Sequence, residues 1–204
     1  MKQHLKSQMS RELILEAGLT CFSSQGFRGT SMKDIAQVAE ISVGRVYHHF
    51  KSKTELFTEL LDQYWGVLED PNNPINQLIL NARFPDDIPQ LAQAIKDIVS
   101  QNKKHIMLIY VDVIEFHGEH INRVYRNMAA NFKAAYQERF DQLERDQVLR
   151  PQADPLFAVM LTYRFFFHYF LVESTFGVAD HFGFSSDTVI AKTNDLILHG
   201  LLKS

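Results

Sequence analysis

Apolar residues recur at spacings of three and four along most of the chain, the period of helices with one buried face. Over residues 5–24, Leu13, Ile14, Ala17 and Cys21 fall on one stripe. Gly26 stands where a glycine cap would end that helix, and Phe27 follows as an apolar anchor. Ser31 opens a second helix with Asp34 three residues on, a capping box with Asp in place of the usual Glu. Ile35, Ala36, Val38 and Ala39 supply its buried side, and it must end near Glu40 because a new cap, Ser42, arrives at once. Residues 42–49 form a third short helix with few buried anchors, Val46 and one face of Tyr47. Ser52 and Glu55 make a full Ser-x-x-Glu box at the head of a fourth helix, which Leu56, Phe57, Leu60, Leu61 and Tyr64 continue.

Three stretches rich in proline and Asx residues break the pattern: 69–74 (EDPNNP), 84–89 (FPDDIP) and 150–155 (RPQADP). Between and beyond them, helices are expected over 88–101, 104–117, 119–145, 156–176 and 186–202, the last capped by Ser185 or Ser186. No run alternates with the period of a strand. The expectation is an all-α chain of about nine helices. Residues 1–53 would form a three-helix, helix-turn-helix DNA-binding domain, and residues 54–204 a helical ligand-binding and dimerisation domain.

Composition narrows this picture. With 204 residues, 46% hydrophobic and 22% charged, the chain can pack a core and is not of disordered type. The one cysteine, Cys21, excludes an internal disulfide and a cysteine-based zinc site, and reads as buried filler. The start, MKQHLKSQMSREL, lacks the apolar run of a signal peptide. The most apolar stretch, 156–172, holds Arg164 and His168 and is shorter than the ~20 residues of a membrane helix. A soluble, cytoplasmic protein without a membrane partner is expected. The net charge of -3 is unevenly spread. Residues 1–53 hold eight Lys/Arg against four Asp/Glu, +4, and the remainder thirteen against twenty, -7. A basic head on an acidic body suits a DNA binder.

Two short helices joined by a tight turn form a helix-turn-helix when the second can project from the body. The helix over 42–49 is too short and polar for a core helix. Gly44 would let its backbone approach a groove closely. Arg45 can donate two hydrogen bonds to guanine, Val43 can touch a thymine methyl, and His48 can reach a base edge or a phosphate. Ser42 caps this helix. Thr30 and Ser31 lie at the start of the second helix, and Lys53 at the start of the fourth, where free N–H groups favour anions. Tyr47 can offer its hydroxyl to the DNA backbone. The phosphate contacts would position the protein and the 42–49 helix would specify sequence.

The run TSMKDIAQVAEISVGRVYHHFKSKTELF, from Thr30 to Phe57, resembles the N-terminal signature of the tetracycline-repressor (TetR) family. The likeness lies in the Thr-Ser start, Asp34-Ile35-Ala36, Ala39, Ser42-x-Gly44, Val46-Tyr47-x-His49-Phe50, Ser52-Lys53 and Leu56. It extends back to Gly26-Phe27 and so covers about the first 60 residues. Glu40 departs from it, since the family often has glycine there, and positive φ would strain a non-glycine residue. The resemblance implies a homodimer whose heads read a palindromic operator in double-stranded DNA. It also implies a variable C-terminal part that dimerises and binds a small effector, and repression relieved by that effector. The ending Asn194–Leu201 is weakly similar to the family's final helix.

In the C-terminal part, Leu156, Val159, Met160, Tyr163, Phe167 and Phe170 share one helical face, and Val189, Leu196, Ile197 and Leu201 another. Two such helices from each subunit could form a four-helix bundle across a two-fold axis. The run from Tyr163 to Phe170 is aromatic all round, hence buried all round. It could wall a pocket opposite Tyr110, Phe116, Tyr125, Phe132 and Tyr136, with Arg164, His168 and Tyr169 as polar fixings for an apolar or aromatic effector. Ordinary core packing is the competing reading of each such residue. His117 and His120, between Glu115 and Glu119, have lost helical i,i+4 spacing to Gly118 and read as a solvated loop rather than a metal site. No catalytic residue, metal or cofactor is expected, because no Gly-x-Ser-x-Gly elbow, HExxH or nucleotide loop occurs. A helical partner-binding protein with an inactive head, or an all-α enzyme, is the alternative.

Overall fold

A computed structural model of the chain describes residues 2–70, 72–80 and 83–203. Ten helices lie among them: α1 (Lys2–Gly29), α2 (Met32–Val38), α3 (Val43–His49), α4 (Lys53–Glu69), α5 (Pro74–Leu80), α6 (Ile88–Gln101), α7 (Lys103–Glu115), α8 (Ile121–Arg145), α9 (Pro155–Thr175) and α10 (Ser186–Leu201). The all-α expectation holds. The unforeseen element is α5. Pro74 occupies its first position, where a missing N–H costs nothing, and the Asn73 side chain accepts from Ile75 N–H at 2.9 Å. The Asn73-Pro74 pair, part of a stretch read as a break, therefore starts a helix.

Cap chemistry sets the other boundaries. Gly26 takes φ 75° and interrupts α1. Ser31 and Asp34 form the reciprocal box at the head of α2. Glu55 N–H donates to Ser52, while the Glu55 carboxylate accepts from Lys51 N–H rather than from Ser52. His117 and Gly118 both take positive φ, so α7 ends at Glu115 and α8 begins only at Ile121.

The chain divides into two compact units, Met1–Leu68 with Lys104–Val124, and Glu69–Lys103 with Tyr125–Ser204. The first unit thus takes α4 and α7 as well as the three N-terminal helices. Its core gathers Ile14, Phe22, Ile35, Val46, Phe50, Leu56, Phe57 and Leu108, and Cys21 is buried in it as expected. Burial pushes the Cys21 thiol pKa up. In the second unit, α6 packs along α9, and α10 joins both. The buried face of α6 is Ile88, Leu91, Ala92, Ile95, Ile98 and Val99, the helical period in full.

Helix α9 corrects two expectations. It has 21 residues and is by length and composition long and apolar enough to cross a membrane. Val159, Thr162, Phe166, Tyr169 and Phe170 are nevertheless buried inside the unit. The exposed stripe is also not the one expected. Val159 and Phe170 face their own chain, whereas Phe157 and Leu161, 66% and 48% exposed, lie open with Arg164 and His168. On α10, Leu201 and Val189 are buried and Leu196 is 72% exposed.

Candidate nucleic-acid interface

The second and third helices are fixed to α1 and α4 by their buried sides, Met32, Ile35 and Ala36 on α2 and Val46 on α3. Residues 39–42 make the turn between them. Glu40 there has φ 55°, the left-handed conformation in which a side chain is strained. The departure from glycine noted in the sequence thus falls on the one residue of this turn with positive φ.

What α3 leaves exposed is Gly44, Arg45, Tyr47 and His48. No heavy atom would lie within 4 Å of a Cβ built on Gly44. Nothing in the free protein therefore requires glycine at this position. Arg45 is exposed but anchored, with Nη2 donating to the buried Ser10 hydroxyl at 2.6 Å. Ser10 in turn donates to Lys6 O at 2.7 Å. One edge of the guanidinium is thereby held against α1, a restraint that lowers the entropy cost of presenting the other. Tyr47 is 52% exposed. The rings of His48 and His49 meet edge to face at 5.2 Å. Burial, and then the neighbouring His48, Arg45 and Arg11, push the His49 pKa below its ordinary value, so a neutral ring is favoured.

The remaining DNA-facing candidates have structural duties. Ser42 accepts from Arg45 N–H at 3.3 Å and caps α3. Val43 is half-buried against the core. Ser31 caps α2, and its hydroxyl and N–H hold the Asp34 carboxyl below the usual carboxylate range. Thr30 is buried, and its hydroxyl donates inward to Gly26 O at 2.8 Å, so its side chain shapes the corner instead of presenting a donor outward. Lys53 donates to Phe27 O and Thr30 O, each at 2.7 Å, and lies 4.2 Å above the Phe27 ring. Its ammonium is thus both a surface cation and a tie between α4 and the end of α1.

No sequence pattern points to Ser10 or Arg11. Arg11 pairs with Glu59 on α4 and stands 5.0 Å over the Phe50 ring, at the base of α3. Both lie more than thirty residues from the side chains they hold, which is why no local pattern marks them.

The effector candidates fall in both units. Phe116 is taken up by an aromatic cluster with Phe27 and Phe57 at 4.7 and 5.2 Å in the first unit, and exposed Tyr110 lies in the same unit. In the second unit, exposed Tyr125 lies 5.0 Å beneath the Arg164 guanidinium. Phe132 stacks with Tyr136 and meets Tyr163 at 5.3 Å. Burial pushes the Tyr163 pKa up to about 12. Tyr169 is buried and donates to Glu173 at 2.9 Å. Arg164 and His168 are exposed, on the open stripe of α9, rather than polar fixings in an enclosed wall. The solvated-loop reading of the histidine pair also needs correction. His117 is exposed, but His120 is half-buried and bonded to the fully buried Asp112.

Residues 14–60 match the family described as bacterial regulatory proteins, tetR family. The chain is 31% identical over 124 residues to the HTH-type transcriptional regulator AcrR of Shigella flexneri, across 58% of this chain and 55% of AcrR. It is 33% identical over 76 residues to the HTH-type transcriptional repressor KstR2 of Mycolicibacterium smegmatis, across 33% of this chain and 37% of KstR2. The matched stretches thus span about half or less of the length of these curated relatives. The fold aligns over 98% of both chains with NalD of Pseudomonas aeruginosa, the secondary repressor of the MexAB-OprM multidrug efflux pump, with a TM-score of 0.62 and 21% identity. At that identity the likeness is one of fold. The chain is thus similar to the tetR family of bacterial regulatory proteins over its N-terminal residues.

Proposed function

We propose that the chain is a ligand-responsive transcriptional regulator, acting as a repressor, that binds a two-fold symmetric operator as a homodimer. The observation that carries this reading is the outer edge of α3. A short helix there offers an unobstructed glycine, Gly44, beside an arginine restrained by Ser10, with Tyr47 and His48 on the same exposed side. Arg45 reads a guanine edge, Gly44 permits close approach, and Lys53, Ser31 and Tyr47 contact phosphates. These contacts fall within residues 1–53, and residues 54–204 supply dimerisation and effector binding. KstR2, a relative named as a repressor, supports repression as the outcome.

Dimerisation runs through the last two helices, by the open stripe of Phe157 and Leu161 on α9 with Leu196 on α10. Large apolar side chains left in water on two neighbouring helices favour a self-complementary contact. The effector is a small apolar or aromatic molecule, for which the rings at the α8–α9 contact, Phe132 among them, offer the matching surface. The reading involves no catalytic step and places the protein in the cytoplasm with its DNA.

The test is selection from a random DNA duplex pool with the purified full-length protein at moderate salt. The expected product is a two-fold symmetric motif whose half-sites lie about one helical turn, roughly 10 base pairs, apart or a multiple of it. Retention of duplexes without any motif, or no retention, refutes the regulator reading.

A further inference from the structure

The end of α7 holds an ionic group that the DNA-contact reading leaves unused. Glu115, its last residue, is half-buried. Its carboxylate accepts from Phe27 N–H through Oε1 and from Arg28 N–H through Oε2, both at 2.8 Å. The Arg28 side chain adds a longer contact at 3.8 Å. Carboxylates that take two backbone N–H groups at once make strong, directional bonds. The receiving corner is shaped for this. Gly26, at φ 75°, turns the chain so that the next two N–H groups open together, and a Cβ there would lie 2.7 Å from Glu115 Oε1. Both the conformation and the space therefore call for glycine.

The same corner is held from its other side. Lys53, at the head of α4, takes Phe27 O and Thr30 O, and Thr30 Oγ1 takes Gly26 O. Residues 26–30, which lead directly into the cap of α2, are thus fixed by their N–H groups to an anion on α7 and by their carbonyls to a cation on α4. The anchor of Glu115 is itself rigid. One turn back, the buried Asp112 accepts from His120 Nδ1–H at 2.6 Å and from Ile121 N–H at 3.1 Å. His120 Nε2 lies 3.3 Å from Thr58 Oγ1 on α4. A joint with this many directional bonds has few intermediate positions, so it transmits a displacement of α7 instead of absorbing it.

We propose that Glu115 is the positioning residue of the DNA-reading head, and that its bidentate bond to the Gly26–Arg28 corner sets the orientation in which α2 and α3 meet DNA. The proposal rests on the regulator reading above. Losing the bond leaves the head folded but free to populate orientations that cannot bind, and apparent affinity falls with the competent fraction.

The test uses the full-length protein and a duplex selected by the wild type. Glu115→Gln keeps size and removes the charge and one acceptor. The control is Ile106→Val, a buried truncation on the same helix but away from the corner. Binding is measured at 25 °C, well below unfolding, across a salt series, with melting temperatures recorded for each variant. The expected result is affinity about tenfold weaker for Glu115→Gln at every salt concentration, a fraction of binding-competent dimers near one in ten. The slope against log salt stays unchanged because no phosphate contact is lost. Ile106→Val should lose melting temperature and keep its affinity. Unchanged or tighter binding by Glu115→Gln overturns the proposal, as does equal weakening by both variants, which would mark a general stability effect. Failure of the wild type to select any motif overturns the regulator reading instead.

Discussion

Gly44→Ala separates a requirement of folding from a requirement of DNA. In the free protein the new methyl meets nothing within 4 Å, and Gly44 does not have the positive φ that would strain alanine. Alanine is favoured over glycine by about 1 kcal/mol in a helix interior, and by roughly half that in the first turn, where Gly44 stands. For a domain of this size that raises the melting temperature by about 1–2 °C. On DNA the balance reverses. If the Gly44 backbone lies against a base edge or sugar-phosphate, the methyl must displace one surface or the other, at a cost like that of overpacking a core, about 1–3 kcal/mol. That corresponds to roughly 5- to 150-fold in dissociation constant. Fluorescence anisotropy with the selected duplex, beside a thermal melt followed by circular dichroism, reads both quantities. A variant that melts higher and binds as well as the wild type refutes the close approach of α3 through Gly44, and with it the orientation assigned to this helix.

Four further substitutions test the same region and its support. Arg45→Ala should relax preference at one base position by about 1–3 kcal/mol, whereas Lys53→Ala should weaken binding evenly across sequences and reduce the salt slope by about one; an unchanged binding motif for Arg45→Ala would remove it from base reading. Lys53→Ala should also lower stability, since Phe27 O and Thr30 O lose their donor. Glu40→Gly should relieve the left-handed strain of about 1–2 kcal/mol, less about 0.4–1 kcal/mol for the freer unfolded chain, so that the denaturant midpoint rises; a lower midpoint would mean that the turn is not strained. His105, stacked on Tyr64, has its pKa held below 6.5 chiefly by burial, so below pH 6.5 the unfolded chain takes up the proton first and stability declines until the folded pKa is reached. His105→Phe should flatten that part of the stability profile, and an identical decline in both proteins would assign it elsewhere.

The legible parts of this fold are those whose chemistry is local. Ser31 with Asp34, Ser52 with Glu55, and Gly26 before Phe27 mark helix ends because a cap and its partner lie within four residues, and each is found where the pattern places it. Gly44 and Arg45 stand out for the same reason, since a short helix with one buried anchor must expose the rest. Glu115 does not stand out. Its partners lie 88 and 87 residues away, and its neighbours His117 and Glu119 suggest only a solvated loop. The bond of His120 is hidden likewise, because the buried Asp112 that accepts it sits inside an apolar helix, eight residues away.

Helix α9 shows where periodicity itself fails. A helix apolar on every side has no moment to orient it, so a face chosen from the sequence is one of several equivalent choices. The choice of Val159 and Phe170 for a partner is overruled by α6, which packs along α9 within the same unit, and both residues are buried. What remains open is the line 157, 161, 164 and 168, spaced four, three and four, which is a single stripe down the helix. It joins Phe157 and Leu161 to two cationic or titratable groups, Arg164 and His168. A purely apolar seam would associate without fixing register, whereas a polar pair on the seam demands a matching group from the facing helix. The stripe, of which the sequence reading took up only Arg164 and His168, as fixings for a ligand, therefore has the composition of the proposed dimer interface, one that selects its own partner and its own alignment.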